Sequence, residues 1–206
     1  MRFSTSWSTM TAIVDYRAGN LTSVRLAFEA LGEDAVVTSD PNVVAKSDRV
    51  VFPGVGAAAS AMANLRELRL VDAVKSVAAD KPFLGICLGM QILFEHSEED
   101  GGVDTLGIIP GRVRRFADVP GFKIPQIGWN DVETVNGCNV CPSGEFFYFV
   151  HSYYAELCPF TSGVTEYAGV KFTAMVKRGR LLACQFHPEK SGKAGLALLK
   201  GWIESC

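Results

Sequence analysis

The residue pattern best able to do chemistry is a cysteine held between two glycines, Gly85-Ile86-Cys87-Leu88-Gly89. It follows the apolar run Pro82-Phe83-Leu84-Gly85-Ile86 and precedes residues of helical pattern, so it stands at a strand-to-helix bend. This is the glycine–x–nucleophile–x–glycine arrangement of a nucleophile elbow, with sulfur in place of a hydroxyl. The bend is tight, and a side chain at Gly85 or Gly89 would collide with backbone. The elbow pushes the sulfur out at the carboxyl end of the sheet, where open α/β folds place their ligands. It also sets the sulfur at a helix N-terminus, whose dipole favours thiolate. A lone cysteine is more often a buried packing residue than a nucleophile; the two glycines at a strand–helix junction reverse that balance.

A cysteine nucleophile needs a base, and the chain has three histidines, His96, His151 and His187. His187 stands in Gln185-Phe186-His187-Pro188-Glu189, after a strand pattern. In extended chain, residues two apart point to the same side, and Pro188 holds His187 out of the helical region. Glu189 can then bind one ring nitrogen, fix the tautomer and leave the other nitrogen for Cys87. A third part is Pro53-Gly54-Val55-Gly56, where small residues leave the Val55 and Gly56 N–H groups free to face a developing oxyanion. The N–H of Leu88, next after the nucleophile, is the natural second donor.

These groups need a scaffold. In the first half, Thr11–Asp15, Ala35–Thr38, Arg49–Phe52 and Pro82–Ile86 read as strands. Leu21–Leu31, Ala57–Leu65, Leu70–Ala79 and Met90–His96 read as helices. Apolar residues at Leu21, Val24, Ala27, Phe28 and Leu31 show the helical period. Strand and helix in turn predict a doubly wound, mostly parallel sheet with helices on both faces. From Gly107 to Lys177 the pattern becomes β-rich. Phe146–Val150 is its clearest strand, and Thr173–Lys177 with Leu181–Phe186 reads as a hairpin across Arg178-Gly179. An amphipathic helix, Gly192–Glu204, closes the chain, and Asn136–Gly144 reads as a loop.

The chain's 206 residues suit one domain. We expect residues 10–206 to form it and residues 1–9 to be a tail. Twenty basic and 22 acidic residues leave a net charge of −2, which offers duplex nucleic acid or an anionic membrane no electrostatic footprint. The longest uncharged stretch, Val50–Leu65, is 16 residues, shorter than the roughly 18 needed to suggest a membrane span. The six cysteines are expected to be reduced, because a chain of this size builds a core without disulfides and shows no export signal. The expected location is therefore the cytoplasm.

Taken together, Gly85–Gln91, Phe186–Glu189 and Pro53–Gly56 resemble the class I (triad) glutamine amidotransferases. More narrowly, the chain resembles the glutaminase subunits of imidazole glycerol phosphate synthase. That narrower resemblance rests on Asp15-Tyr16 with Gly19–Leu21, Ser97–Glu99, Leu106–Gly111, Gly128-Trp129-Asn130, Phe149–Tyr154 and Pro188–Gly192. It implies a flavodoxin-like fold and a catalytic Cys87, His187 and Glu189, with Cys87 attacking the side-chain amide of L-glutamine and leaving a glutamyl thioester. It implies that Gln91, Glu99, Ser152 and Tyr153 hold the substrate. It implies transfer of ammonia to a (βα)8-barrel cyclase partner in a heterodimer, with no metal and no organic cofactor. Two departures stand out. The family usually has His-Met before Gly-Trp-Asn, where this chain has Gln126-Ile127, and commonly a Phe where it has Ala58.

Other readings compete. Cys138-x-x-Cys141 invites zinc, but a tetrahedral site needs four ligands and only Cys158 and His151 remain as distant additions. A cysteine peptidase or γ-glutamyl hydrolase could share the fold, and a pyridoxal phosphate synthase glutaminase could share elbow and His-Pro-Glu. A non-catalytic scaffold for the cyclase would not need to retain Cys87, His187 and Glu189.

Overall fold

The computed structural model describes residues 9–206, so the expected tail lies outside the described residues except for Thr9. The first half runs β1 (Thr11–Val14), α1 (Leu21–Ala30), β2 (Ala35–Thr38), α2 (Pro41–Lys46), β3 (Arg49–Gly54), α3 (Ala58–Glu67), α4 (Val71–Asp80), β4 (Phe83–Cys87) and the single turn α5 (Leu88–Gln91). The second half runs β5 (His96–Ser97), β6 (Val103–Asp104), β7 (Arg112–Arg115), β8 (Gln126–Thr134), β9 (Glu145–His151), β10 (Tyr153–Ala155), β11 (Thr161–Tyr167), β12 (Val170–Arg178), β13 (Leu181–Cys184) and α6 (Gly192–Glu204).

Alternating side chains decide the architecture. Val14, Val50, Phe52, Phe83, Leu181 and Ala183 pack on one face of the sheet with Leu65, Val74 and Val77 from α3 and α4. Their neighbours Ile13, Val51, Leu84, Ile86, Leu182 and Cys184 pack on the other, with Phe28 of α1 and Leu198, Leu199 and Trp202 of α6. Phe28 and Trp202 meet edge to face at 6.1 Å. Strands apolar on both sides must be covered on both sides, which is the doubly wound arrangement. The parallel strands stand in the order β2-β1-β3-β4-β13, the flavodoxin-like order. Beyond β13 the sheet turns antiparallel through β12, β10 and β7, while β11, β8 and β9 branch from β12.

Three local expectations need correction. The helix expected over Met90–His96 stops after one turn. The carbonyls of Ile92, Leu93, Phe94 and Glu95 accept hydrogen bonds from N–H groups of Thr105 to Ile109 at 2.7–3.0 Å, which takes the acceptors a helix would use. Met90, Ile92, Leu93 and Phe94 are all fully buried, so the run was apolar because it is enclosed, not because it is amphipathic. The dipole expected behind Cys87 is accordingly that of one turn. Second, Pro188–Lys190 is a 3₁₀ turn and not extended chain, with proline at its first position. Third, the sequence reading lacked α2, although Asp40 caps it by accepting from the Asn42 N–H at 2.8 Å and Pro41 opens it.

Candidate active site

Two close approaches shape the elbow. A Cβ on Gly89 would run into the carbonyl oxygen of Phe52, and one on Gly85 would lie 2.9 Å from the Ala183 Cβ. The backbone can therefore fold sharply between β3 and β13 only with glycine at both places. Cys87 carries the strain, with φ +54° and ψ −113°. A non-glycine residue in that region costs roughly 1–3 kcal/mol, which the packing of β4 must offset. The result is a sulfur presented at the carboxyl end of the sheet and 6% exposed.

Parallel register brings the base to it. β13 lies beside β4 with Ala183 opposite Gly85 and Cys184 opposite Ile86. Continuing that register sets Gln185 level with Cys87, and its Nε2 lies 3.8 Å from the sulfur. His187 follows two residues later. Its Nδ1 is 2.8 Å from Glu189 Oε1, with both side chains almost fully buried. Nε2 of His187 is buried without a hydrogen-bond partner other than the facing thiol group. Burial disfavours the cationic ring. The hydrogen bonds and charges of Cys87 and Glu189 outweigh it and push the His187 pKa up to about 10. The expected His–Glu contact is thus made, within a 3₁₀ turn.

Ser191 fastens the turn. Its Oγ donates to the His187 carbonyl at 2.7 Å and accepts from the Tyr148 N–H at 2.9 Å, while the His187 N–H donates to the Tyr148 carbonyl at 2.9 Å. The sequence reading gave Ser191 and Gln185 no role. Gln185 shares the parity of His187 in a strand pattern, which is a readable signal; the Ser191 contact crosses to β9 and has none.

A cavity of about 330 Å³ opens over Cys87, walled by Val55, Gly56, Leu88, Gln91, Glu99, Ser152, Tyr153 and His187, together with Pro125, Val150 and His151. Every expected site residue except Glu189, which stands behind His187, lines it. Gly56 has φ +95°, a conformation glycine adopts freely. Gln91 is buried, and its Nε2 donates to the Tyr153 carbonyl at 2.8 Å and to Gln185 Oε1 at 2.9 Å. Glu99 Oε2 accepts from the Ala58 N–H at 2.7 Å, the first N–H of α3. Burial raises the Glu99 pKa, opposed by that hydrogen bond. A larger groove of about 460 Å³ beside Arg66 of α3, Lys75 of α4 and Arg69 between them lies away from this chemistry. Cys138 and Cys141 sit in the expected loop, and burial pushes the Cys141 thiol up to about 12.

A thiol on a strained bend, a buried imidazole held by a carboxylate, and a cleft above them define a nucleophilic amide- or ester-cleaving site. Solved structures share the fold. A glutamine amidotransferase matches with a TM-score of 0.72 at 18% identity, covering 94% of this chain and 97% of its own. PurLQS from Thermotoga maritima matches with a TM-score of 0.72 at 15% identity, covering 96% and 99%. The family model for class I glutamine amidotransferases matches residues 12–203. The chain belongs to the class I glutamine amidotransferases and is an enzyme of that class.

The relatives narrow this further. The imidazole glycerol phosphate synthase subunit HisH of Methanothermobacter thermautotrophicus is 48% identical over 200 residues, 95% of this chain and 98% of the relative. The same subunit of Methylococcus capsulatus is 48% identical over 206 residues, covering 93% and 94%. Within its class, the chain belongs to the HisH family of imidazole glycerol phosphate synthase subunits. Among the described residues no helix is long and apolar enough to cross a membrane.

Proposed function

We propose that the chain hydrolyses L-glutamine to glutamate and ammonia at Cys87 and hands the ammonia to a (βα)8-barrel cyclase subunit, which makes imidazole glycerol phosphate. With its proton taken up by His187, the sulfur of Cys87 attacks the side-chain amide carbon. The resulting oxyanion takes hydrogen bonds from Leu88 N–H and from an N–H of the Val55–Gly56 segment. His187 gives its proton to the departing nitrogen, and the C–N bond breaks to leave ammonia and a glutamyl thioester. His187 then removes a proton from water, which attacks the thioester and releases glutamate. Glu189 holds the ring throughout, and Ser191 holds the turn that carries both. Gln91, Glu99, Ser152 and Tyr153 position the substrate, with the Glu99 carboxylate paired to its ammonium group. No metal and no organic cofactor takes part.

The observation that carries this reading is the convergence of Cys87, His187 and Glu189 from neighbouring strand ends at one cavity. The partner is supported by the exposed Ile127, Trp129 and Phe146 on the outward face of β8 and β9, where Ile127 stands opposite the cavity-lining Val150. Residues 10–206 act as one amidotransferase domain, and the enzyme works in the cytoplasm. Glutamate release from glutamine, with and without purified cyclase, tests the scheme. Cys87→Ser is expected to lose at least about 10³-fold in kcat. Unchanged hydrolysis in that variant would refute the nucleophile, and no stimulation by the cyclase would refute the partner.

A further inference from the structure

Two buried acceptors, one of them on the wall of the Cys87 cavity, have no donor among the described residues. Gln126 opens β8 and His151 ends β9, and the antiparallel register sets them directly opposite each other. Directly opposed residues on one face have Cβ atoms roughly 5 Å apart. Gln126 is 3% exposed and His151 is 6% exposed. His151 Nδ1 lies 2.7 Å from the Tyr153 carbonyl, an acceptor, so Nδ1 carries the proton and Nε2 is left as a lone-pair acceptor. Nε2 of His151 and Oε1 of Gln126 are both buried and unpartnered. Leaving two such groups without donors is costly, so the site is built for something that brings N–H or O–H bonds into it.

The surroundings select what that is. His151 lines the cavity that holds Cys87 and His187. Its ring lies among Phe116, Phe149 and Phe172 at centroid distances of 5.4–5.6 Å. The one carboxylate on the cavity wall, Glu99, accepts from the Ala58 N–H, and burial lowers the His151 pKa to about 4, so both acceptors are neutral. A cation would lose its hydration against two uncharged acceptors. A small neutral molecule with several N–H bonds would satisfy both acceptors and keep its own lone pair.

Resting on the glutaminase reading above, we propose that Gln126 Oε1 and His151 Nε2 form a holding site for the departing ammonia. It accepts two N–H bonds from the molecule once the C–N bond has broken and keeps it neutral until it passes to the cyclase. The site governs how much of the released nitrogen reaches the second reaction, not how fast the amide is cleaved.

The test uses the complete complex of this chain with its cyclase subunit and measures glutamate and imidazole glycerol phosphate formed from glutamine in the same reaction. Gln126→Met removes one acceptor at nearly constant volume. The ratio of imidazole glycerol phosphate to glutamate is expected to fall about five-fold, the worth of one neutral hydrogen bond, while glutamate release stays within about two-fold. Gln126→His, which restores a lone-pair acceptor, is expected to restore the ratio. With ammonium chloride supplied in place of glutamine, all forms should make product at the wild-type rate. Gln126→Leu provides a second variant if Gln126→Met folds poorly. An unchanged ratio in either folded variant overturns the holding site, as does a parallel loss of both products, which marks a structural role or a pair that only binds water. If the wild-type complex itself makes no product from glutamine, the glutaminase reading fails and takes this one with it; the ratio in an active wild type keeps the two failures apart.

Discussion

Replacing Glu189 by Gln tests how the buried His187–Glu189 pair is used. The amide keeps an oxygen able to accept from His187 Nδ1, so the 2.8 Å contact can survive while the charge is lost. The side chains are 3% and 2% exposed, so water cannot substitute for that charge. A hydrogen bond to a charged group is worth about 1.5–3 kcal/mol against about 1 for a neutral one. The imidazolium that holds the Cys87 proton should therefore lose on the order of 1–2 kcal/mol, and kcat/KM should fall roughly 5- to 30-fold. The pH dependence should move as well. Glu189 and Cys87 together hold the His187 pKa up at about 10 against burial, so the alkaline limb of activity should fall to lower pH in the variant. Stability follows the same sign. A pKa raised on folding contributes stability that is complete below the unfolded value, near 6.5, and is lost as pH climbs through about 10. The variant should thus be destabilised most at pH 6 and least above pH 10. Steady-state glutamate release between pH 6 and 10.5, with urea melts at the two extremes, measures both effects. A variant within two-fold of wild type and with an unmoved limb would refute the role given to the carboxylate.

Three further changes have defined outcomes. Gly89→Ala drives a methyl group into the Phe52 carbonyl; strain of about 1–3 kcal/mol or more is expected, and a calorimetric Tm lowered by less than about 2 °C would contradict it. Glu99→Ala removes both the proposed ammonium partner and the acceptor for the Ala58 N–H; KM for glutamine should rise at least about ten-fold with kcat less affected, and a fall in kcat alone would reject the binding role. Ser191→Ala removes the donor to the His187 carbonyl and the acceptor for Tyr148 N–H; kcat should drop several-fold through loss of ring positioning, with KM little changed.

Much of the site was legible because its chemistry is local. Two glycines around a cysteine after an apolar run mean a bend, and a proline between histidine and glutamate limits where both can point. Short apolar runs taken in turn with helical patterns pointed to a doubly wound sheet, and the parallel strands followed from the helices between them. The misread segment, Met90–His96, shows the limit of periodicity. An enclosed run carries no amphipathic signal, and its hydrogen-bond acceptors were taken by residues 105–109, which no local pattern announces.

By itself, then, the chain's order of residues specified the elements and the reactive groups at their ends: the strained thiol, the histidine with its carboxylate, and the glycine-rich turn after β3. Only the folded sheet decided that Cys87 and His187, a hundred positions apart, would meet, because that depends on β13 lying against β4 in the register that levels Gln185 with the sulfur. The sheet also decided that Ser191 would brace β9 and that Gln126 would stand opposite His151. Strand neighbours and their register are set by burial summed over both faces of the whole sheet, so they belong to no stretch of sequence short enough to be read alone.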